Sequence, residues 1–114
     1  MISYVIDEIK RGDIEKIRRY LKEKNYKSPI EDIFWIDIPK QLLTPEQKEH
    51  FAICGPYIFS LELGKEFIKL ELLVRATNKI RCSCISFATR QQRDYAINLV
   101  EEIYFSAING KKTS

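Results

Sequence analysis

Residues 57–89 alternate between apolar and polar side chains in three runs, which are joined by two short polar turns. Such alternation is typical of strands that bury one face of a sheet. A turn at residues 64–67 places apolar side chains of the first run opposite apolar side chains of the second, and an acidic side chain opposite a basic one. The predicted apolar pairs are Leu63–Ile68, Leu61–Leu70 and Phe59–Leu72, and the charged pair is Glu62–Lys69. The middle of the chain is therefore predicted to be an antiparallel meander with one buried face.

The third run is predicted to be the last strand of this meander. Ile80, Cys82 and Cys84 continue the inner face, whereas Ile85 and Phe87 have the opposite parity. Two interpretations remain open. Either a β-bulge near residues 83–85 returns the last two side chains to the core, or they lie on the outer face.

Helical patterns flank the meander. Apolar spacing predicts a first helix over residues 2–21, bent near Gly12, and residues 33–38 are predicted to be a strand. A Thr-x-x-Gln capping box at residues 44–47 starts a short helix, and another at residues 89–92 starts a long one. The tail from about residue 110 is expected to fray.

The predicted order is helix, strand, short helix, three-stranded meander, helix. Two long helices cover about the width of four strands. The chain is therefore predicted to be a two-layer α+β sandwich, with a roughly four-stranded, mostly antiparallel sheet. Both long helices are expected on one face, which leaves the other face open.

Length and composition favour one soluble domain over residues 1–114. Of the 114 residues, 45% are hydrophobic and 31% are charged, which is typical of globular proteins and not of disordered ones. No apolar run approaches the roughly 18 residues that a membrane span needs. Acidic residues near the N-terminus argue against a signal peptide, so we expect a cytoplasmic protein. The three cysteines are then free thiols or ligands and not disulfides.

One set of metal-binding residue types combines the single histidine with the three cysteines. His50 and Cys54 share a face of the predicted short helix, and Cys82 and Cys84 share a face of the predicted third strand. Three thiolates and one imidazole suit tetrahedral zinc. The usual Cys-x-x-Cys knuckle is absent, however, and a Cys-x-Cys pair inside a strand is typical of small buried thiols. We therefore expect no metal, and a zinc-binding domain stands as the third functional hypothesis.

Basic residues suggest an alternative function, binding of nucleic acid or another anion. Residues 10–27 hold eight basic side chains against three acidic ones. Lys65, in the first turn of the meander, is expected at the same end of the sheet as Arg90 and Arg93, where free N–H groups of the last helix attract anions. Ordinary solvation explains both groups as well. The basic bias is weaker than nucleic-acid-binding domains usually show, so a protein partner is favoured.

Catalysis has little support in the sequence. The chain has no nucleophile elbow, P-loop, dinucleotide fingerprint or HExxH motif. Asp37, Glu62 and Glu71 fall on the surfaces of predicted strands, where carboxylates are usually solvated. We therefore expect no catalytic residues and no cofactor.

The outer face of the predicted sheet supports the leading hypothesis. The register places Ile58 opposite Leu73 on that face; Ile85 and Phe87 join them if the strand has no bulge, and Phe67 lies at the margin. Exposed apolar patches usually mark binding sites. We therefore expect a small non-catalytic protein that binds another protein, most simply a second copy of itself in a twofold dimer. No membrane partner is expected.

Overall fold

The computed structural model describes residues 2–109. In this part of the chain there are six strands and four α-helices. The strands are β1 (Ser3–Ile6), β2 (Ile33–Asp37), β3 (Tyr57–Leu63), β4 (Ile68–Glu71), β5 (Leu73–Ala76) and β6 (Ser86–Phe87). The helices are α1 (Arg11–Glu23), α2 (Pro45–Glu49), α3 (Phe51–Cys54) and α4 (Arg90–Asn109), and a 3-10 turn spans Lys40–Leu42. The tail that is expected to fray lies outside the described residues.

The described strands form one antiparallel sheet with β3 at its centre. β2 pairs with one edge of β3. The other edge of β3 pairs with β4 and then with β5, so these two strands form one interrupted row. β1 pairs with β4 and β6 pairs with β5, which makes the outermost row on that side. The sheet is therefore four rows wide, in agreement with the prediction.

The inner face of the sheet packs against α1 and α4, which also pack against each other. Their buried side chains join those of β2, β3 and β4 in one apolar cluster. The helical contributions are Ile14, Ile17 and Leu21 from α1 and Ala96, Val100, Ile103 and Ala107 from α4. The predicted α+β class and two-layer arrangement are confirmed.

The N-terminal segment is a strand, so the helix predicted over residues 2–9 is wrong. β1 pairs with β4; its Tyr4 and Ile6 pack against the core, whereas Val5 is exposed. Over so few residues, a helical stripe and strand alternation select overlapping sets of side chains. Residues 3–6 include β-branched and aromatic side chains, which favour strands. Pairing with the edge of β4 therefore makes this segment a strand and not a helix. α1 begins only at Arg11.

The third run of the predicted meander is mostly a connection and not a strand. Residues 77–85 lie between β5 and β6, and only the two residues of β6 pair with β5. Ile80, which was predicted on the inner face, is 92% exposed. The N–H of Ile85 donates to the carbonyl of Cys82 at 3.0 Å. This turn replaces both the continuous strand and the bulge.

The predicted register holds for one half of β3 and fails for the other half. The confirmed pairs are Leu61–Leu70, Glu62–Lys69 and Leu63–Ile68. Ile58, however, lies opposite Arg75 and not opposite Leu73. The cause is Leu72, between β4 and β5, whose backbone bonds to residues 2 and 88 of the outermost row. This interruption displaces the register by two residues, so every side chain keeps its face.

None of the helices in residues 2–109 combines the length and the apolar character that crossing a membrane requires.

Candidate metal centre

The helices α2 and α3 supply two of the four candidate ligands. Thr44 and Gln47 form the predicted capping box at the start of α2, with hydrogen bonds of 3.1 and 3.0 Å. His50 ends α2 and precedes α3, and Cys54 is the last residue of α3. The N–H of Cys54 donates to the carbonyl of His50 at 2.8 Å. This helical bond keeps the two side chains one turn apart, as their spacing predicts.

The connection between β5 and β6 supplies the other two ligands. Asn78 fixes its first half, because its N–H donates to the carbonyl of Cys54 at 3.0 Å and its Nδ2 donates to that of Gly55 at 2.6 Å. The turn that begins at Cys82 then brings the Sγ atoms of Cys82 and Cys84 to 2.8 Å from each other. The N–H of Cys84 also donates to Sγ of Cys82 at 3.4 Å. The two cysteines therefore meet without lying on a strand.

The four candidate ligand atoms form a compact cluster. Sγ of Cys82 lies 3.2 Å from Nδ1 of His50 and 3.4 Å from Sγ of Cys54. All four ligand atoms lie within 4.8 Å of one another. Cys54 and Cys84 are buried, and His50 and Cys82 are half-buried. The fold thus brings together all four candidate ligands from two separate parts of the chain.

The members of the cluster hold their protons unequally. Hydrogen bonds from the thiol and the N–H of Cys84 lower the pKa of Cys82 to about 6. Burial raises the pKa of Cys54 to about 12, and burial also raises the pKa of Cys84. The hydrogen bond with Cys82 raises the pKa of His50. The cluster therefore favours one thiolate surrounded by donors, and a cation placed there would favour ionisation of the other two thiols.

The outer sheet face brings together part of the predicted interface. Leu73 lies opposite Phe87 across the β5–β6 pair. Phe87 is 56% exposed and Leu73 is half-buried. Ile58 is only 3% exposed, so it adds little to the exposed patch.

The two other predicted interface residues lie elsewhere. Ile85 is half-buried at the end of the turn that begins at Cys82. Phe67 is half-buried in the β3–β4 connection. A Cβ atom added to Gly64 would collide with the ring of Phe67, so this ring covers the turn itself.

The sequence pattern did not single out two apolar residues of the outer face, Trp35 and Val5. Trp35 lies opposite Ser60, half-buried, and Val5 is 46% exposed. In the sequence, Trp35 lies between two apolar residues, Phe34 and Ile36, which the structure buries on the inner face. Alternation then places the indole on the opposite face.

The structure separates the residues of the predicted anion site. Lys65 follows β3 and borders a cleft of about 370 Å³ beside Arg11 and Arg18. Arg90 and Arg93 begin α4, whose first turn bonds to α2 near the start of β3. Because β3 has seven residues and spans about 20 Å, Lys65 and these arginines lie at opposite ends of that strand.

Acidic neighbours and packing account for part of the basic face of α1. Arg18 donates to Glu15 at 2.5 Å and to Asp32 at 3.1 Å. Tyr20 packs against the core, and Nζ of Lys24 lies 5.6 Å from the centre of its ring. This helix therefore has the contacts of an ordinary amphipathic helix.

No protein-family model, no curated protein and no solved structure matches this chain.

Proposed function

We propose that this chain is a small zinc-binding domain in which His50, Cys54, Cys82 and Cys84 hold one structural Zn²⁺ ion. The observation that carries the proposal is the clustering of all four ligand atoms within 4.8 Å. Zinc lies about 2.3 Å from sulfur and about 2.0 Å from nitrogen, so tetrahedral ligand–ligand distances are about 3.5–3.8 Å. Movements of about 1 Å would therefore convert the observed cluster into a tetrahedral site.

Two features favour a structural ion over a catalytic one. Four protein ligands complete a tetrahedron and leave no position for water or substrate. The connection over residues 77–85 has no strand pairing of its own and reaches the rest of the protein next to α3. An ion shared by both parts would fasten this connection to α2 and α3. Its binding free energy would then contribute directly to folding.

A matched pair of variants in one turn tests the site. Cys84→Ser removes a ligand, and we expect its zinc affinity to fall more than 100-fold, since even partners of ligands are worth about 10–100-fold. Ser83→Ala removes a hydroxyl that bonds to Glu46 and is no ligand, so zinc affinity should be unchanged. The measurements are zinc content per chain and chelator competition. A wild-type protein that takes up no zinc, or equal losses in the two variants, would contradict the proposal.

We also propose that the outer sheet face binds a second copy of the chain, as the leading sequence hypothesis states. Leu73, Phe87, Val5 and Trp35 supply apolar surface there, and in residues 2–109 both long helices lie on the inner face. Charged side chains of both signs lie beside them. These include the Glu62–Lys69 pair of β3 and β4 and the bidentate Arg75–Glu71 pair at 2.7 and 2.9 Å. A surface with an apolar centre and mixed charges is suited to a twofold contact with itself.

A further inference from the structure

We infer that Gln47 and Gln92 couple the metal centre to the start of α4, so that metal binding and the ordering of the last helix stabilise each other. The inference deepens the proposed zinc site and rests on it. It concerns two residues whose sequence pattern indicates only helix capping.

The two glutamine side chains are fully buried and directly bonded. Both are 0% exposed. Nε2 of Gln92 donates to Oε1 of Gln47 at 3.0 Å. Nε2 of Gln47 donates in turn to the carbonyl of the ligand Cys84 at 3.1 Å. Two consecutive hydrogen bonds, each donated by a side-chain amide, therefore link α4 to the backbone of a proposed metal ligand.

Gln47 also connects the two halves of the ligand set. It lies on α2, which His50 directly follows, while the carbonyl that it binds belongs to Cys84 in the β5–β6 connection. The hydroxyl of Tyr57 donates to the carbonyl of Gln47 at 2.9 Å, which fixes this part of α2 against β3. Gln47 thus holds the helix ligands and the turn ligands at a set distance before any ion binds.

The orientation of Gln92 depends on an intact first turn of α4. Its Oε1 accepts from the N–H of Thr89 at 3.0 Å, and its own N–H donates to Oγ1 of Thr89 at 3.1 Å. Its Nε2 also donates to the carbonyl of Leu42 at 2.9 Å. If this turn frays, the amide that fixes Oε1 of Gln47 loses its position. A buried amide without partners is unfavourable, so the contacts form or break together.

Coupling of this kind is reciprocal: if an ordered α4 favours metal binding, the metal must favour an ordered α4 to the same extent. Positioning residues around metal ligands commonly affect metal affinity about 10–100-fold.

Two variants in the first turn of α4 distinguish the Gln92–Gln47 bond from a general effect of substitution there. Gln92→Met keeps the size of the side chain and removes its bond to Gln47, so we expect zinc to bind about tenfold more weakly. Gln91→Met makes the same substitution at the exposed neighbouring position of the same turn and leaves the Gln92–Gln47 bond intact, so we expect less than about a threefold change. Zn²⁺ affinity is measured by chelator competition, at a temperature where circular dichroism shows both variants folded. Equal affinities in the two variants would overturn the coupling and leave the zinc site intact.

Hydrogen exchange of the wild-type protein supplies the second half of the test and needs no variant. The N–H of Arg93 donates to the carbonyl of Thr89 at 2.8 Å and reports on the first turn of α4. Removing Zn²⁺ with a chelator should accelerate its exchange about tenfold more than that of Ile103, farther along the same helix. Equal effects at both positions would overturn the coupling. Failure of the wild-type protein to bind zinc would reject both the site and the coupling.

Discussion

The three thiols of the candidate metal centre differ in how readily they lose a proton. The pKa of Cys82 is lowered to about 6, whereas burial raises the pKa of Cys54 to about 12 and also raises that of Cys84. At neutral pH the metal-free site therefore holds thiol protons on two of its three cysteines. Zinc binds thiolates, so it must displace these protons.

This difference predicts proton release on zinc binding. At pH 7.5 we expect at least about two protons per zinc, and an affinity that rises with pH because fewer protons compete. Calorimetric titration in buffers of different ionisation enthalpy measures the number. Zinc binding without proton release, or with the same affinity at pH 6 and pH 8, would contradict the assignment of the thiols.

The four candidate ligands could be named from the sequence, although the sequence alone led us to expect no metal, and their geometry could not be predicted. Residue type and the four-residue spacing were sufficient for His50 and Cys54, because a helical turn fixes their relation. Cys82 and Cys84 were expected on a strand and instead lie in a turn held by hydrogen bonds to Cys54 and Gln47. Those partners are distant in sequence, so no local pattern indicates them.

At the scale of elements, the edge strand β1 is linked to α4 by one side-chain hydrogen bond. The hydroxyl of Tyr4 donates to Oε2 of Glu101 at 2.5 Å. This bond, together with burial, raises the pKa of Tyr4 to about 12 from its ordinary value of 10.0. The folded state therefore holds this proton more tightly than the unfolded chain does.

The bond predicts a pH-dependent loss of stability. Tyr4→Phe should lower the free energy of unfolding by about 1 kcal/mol at neutral pH. The contribution of Tyr4 is complete below about pH 10 and disappears as pH rises through about 12, because the folded state binds the extra proton. Urea unfolding of Tyr4→Phe, Glu101→Gln and the double variant measures the coupling. Additive effects of the two substitutions would show that the bond contributes nothing.

Strong alternation predicted elements better than short apolar stripes did. β3 and β4 follow directly from their pattern, and both capping boxes form at the predicted residues. β1 was mistaken for a helix because two apolar residues, Ile2 and Ile6, fit both the helical and the strand spacing. The register change at Leu72 could not be predicted, since its cause is backbone bonding to residues 2 and 88 of the neighbouring row.

In the molecule as a whole, both long helices in residues 2–109 lie on the inner sheet face, and we propose that a second copy of the chain binds the outer face. Phe87 on that face and Phe105 on α4 are similarly exposed, at 56% and 60%. They therefore form a matched pair for testing where copies of the chain associate.

We expect Phe87→Glu to dissociate a dimer that the wild type forms at micromolar concentration, because it places a charge at the apolar centre of the contact. Phe105→Glu makes the same change in the other layer and should leave the dimer unchanged. Sedimentation velocity distinguishes the species. A monomeric wild type, or dissociation by Phe105→Glu alone, would exclude the outer sheet face as the contact.

We propose that four side chains from two parts of the chain bind one zinc ion. X-ray absorption at the zinc edge of the zinc-loaded protein tests it most directly, since it reports the type, number and distance of the ligands. We predict three sulfur neighbours at about 2.3 Å and one nitrogen neighbour at about 2.0–2.1 Å. A shell made only of oxygen and nitrogen neighbours, or a protein that retains no zinc after dialysis, would contradict the claim.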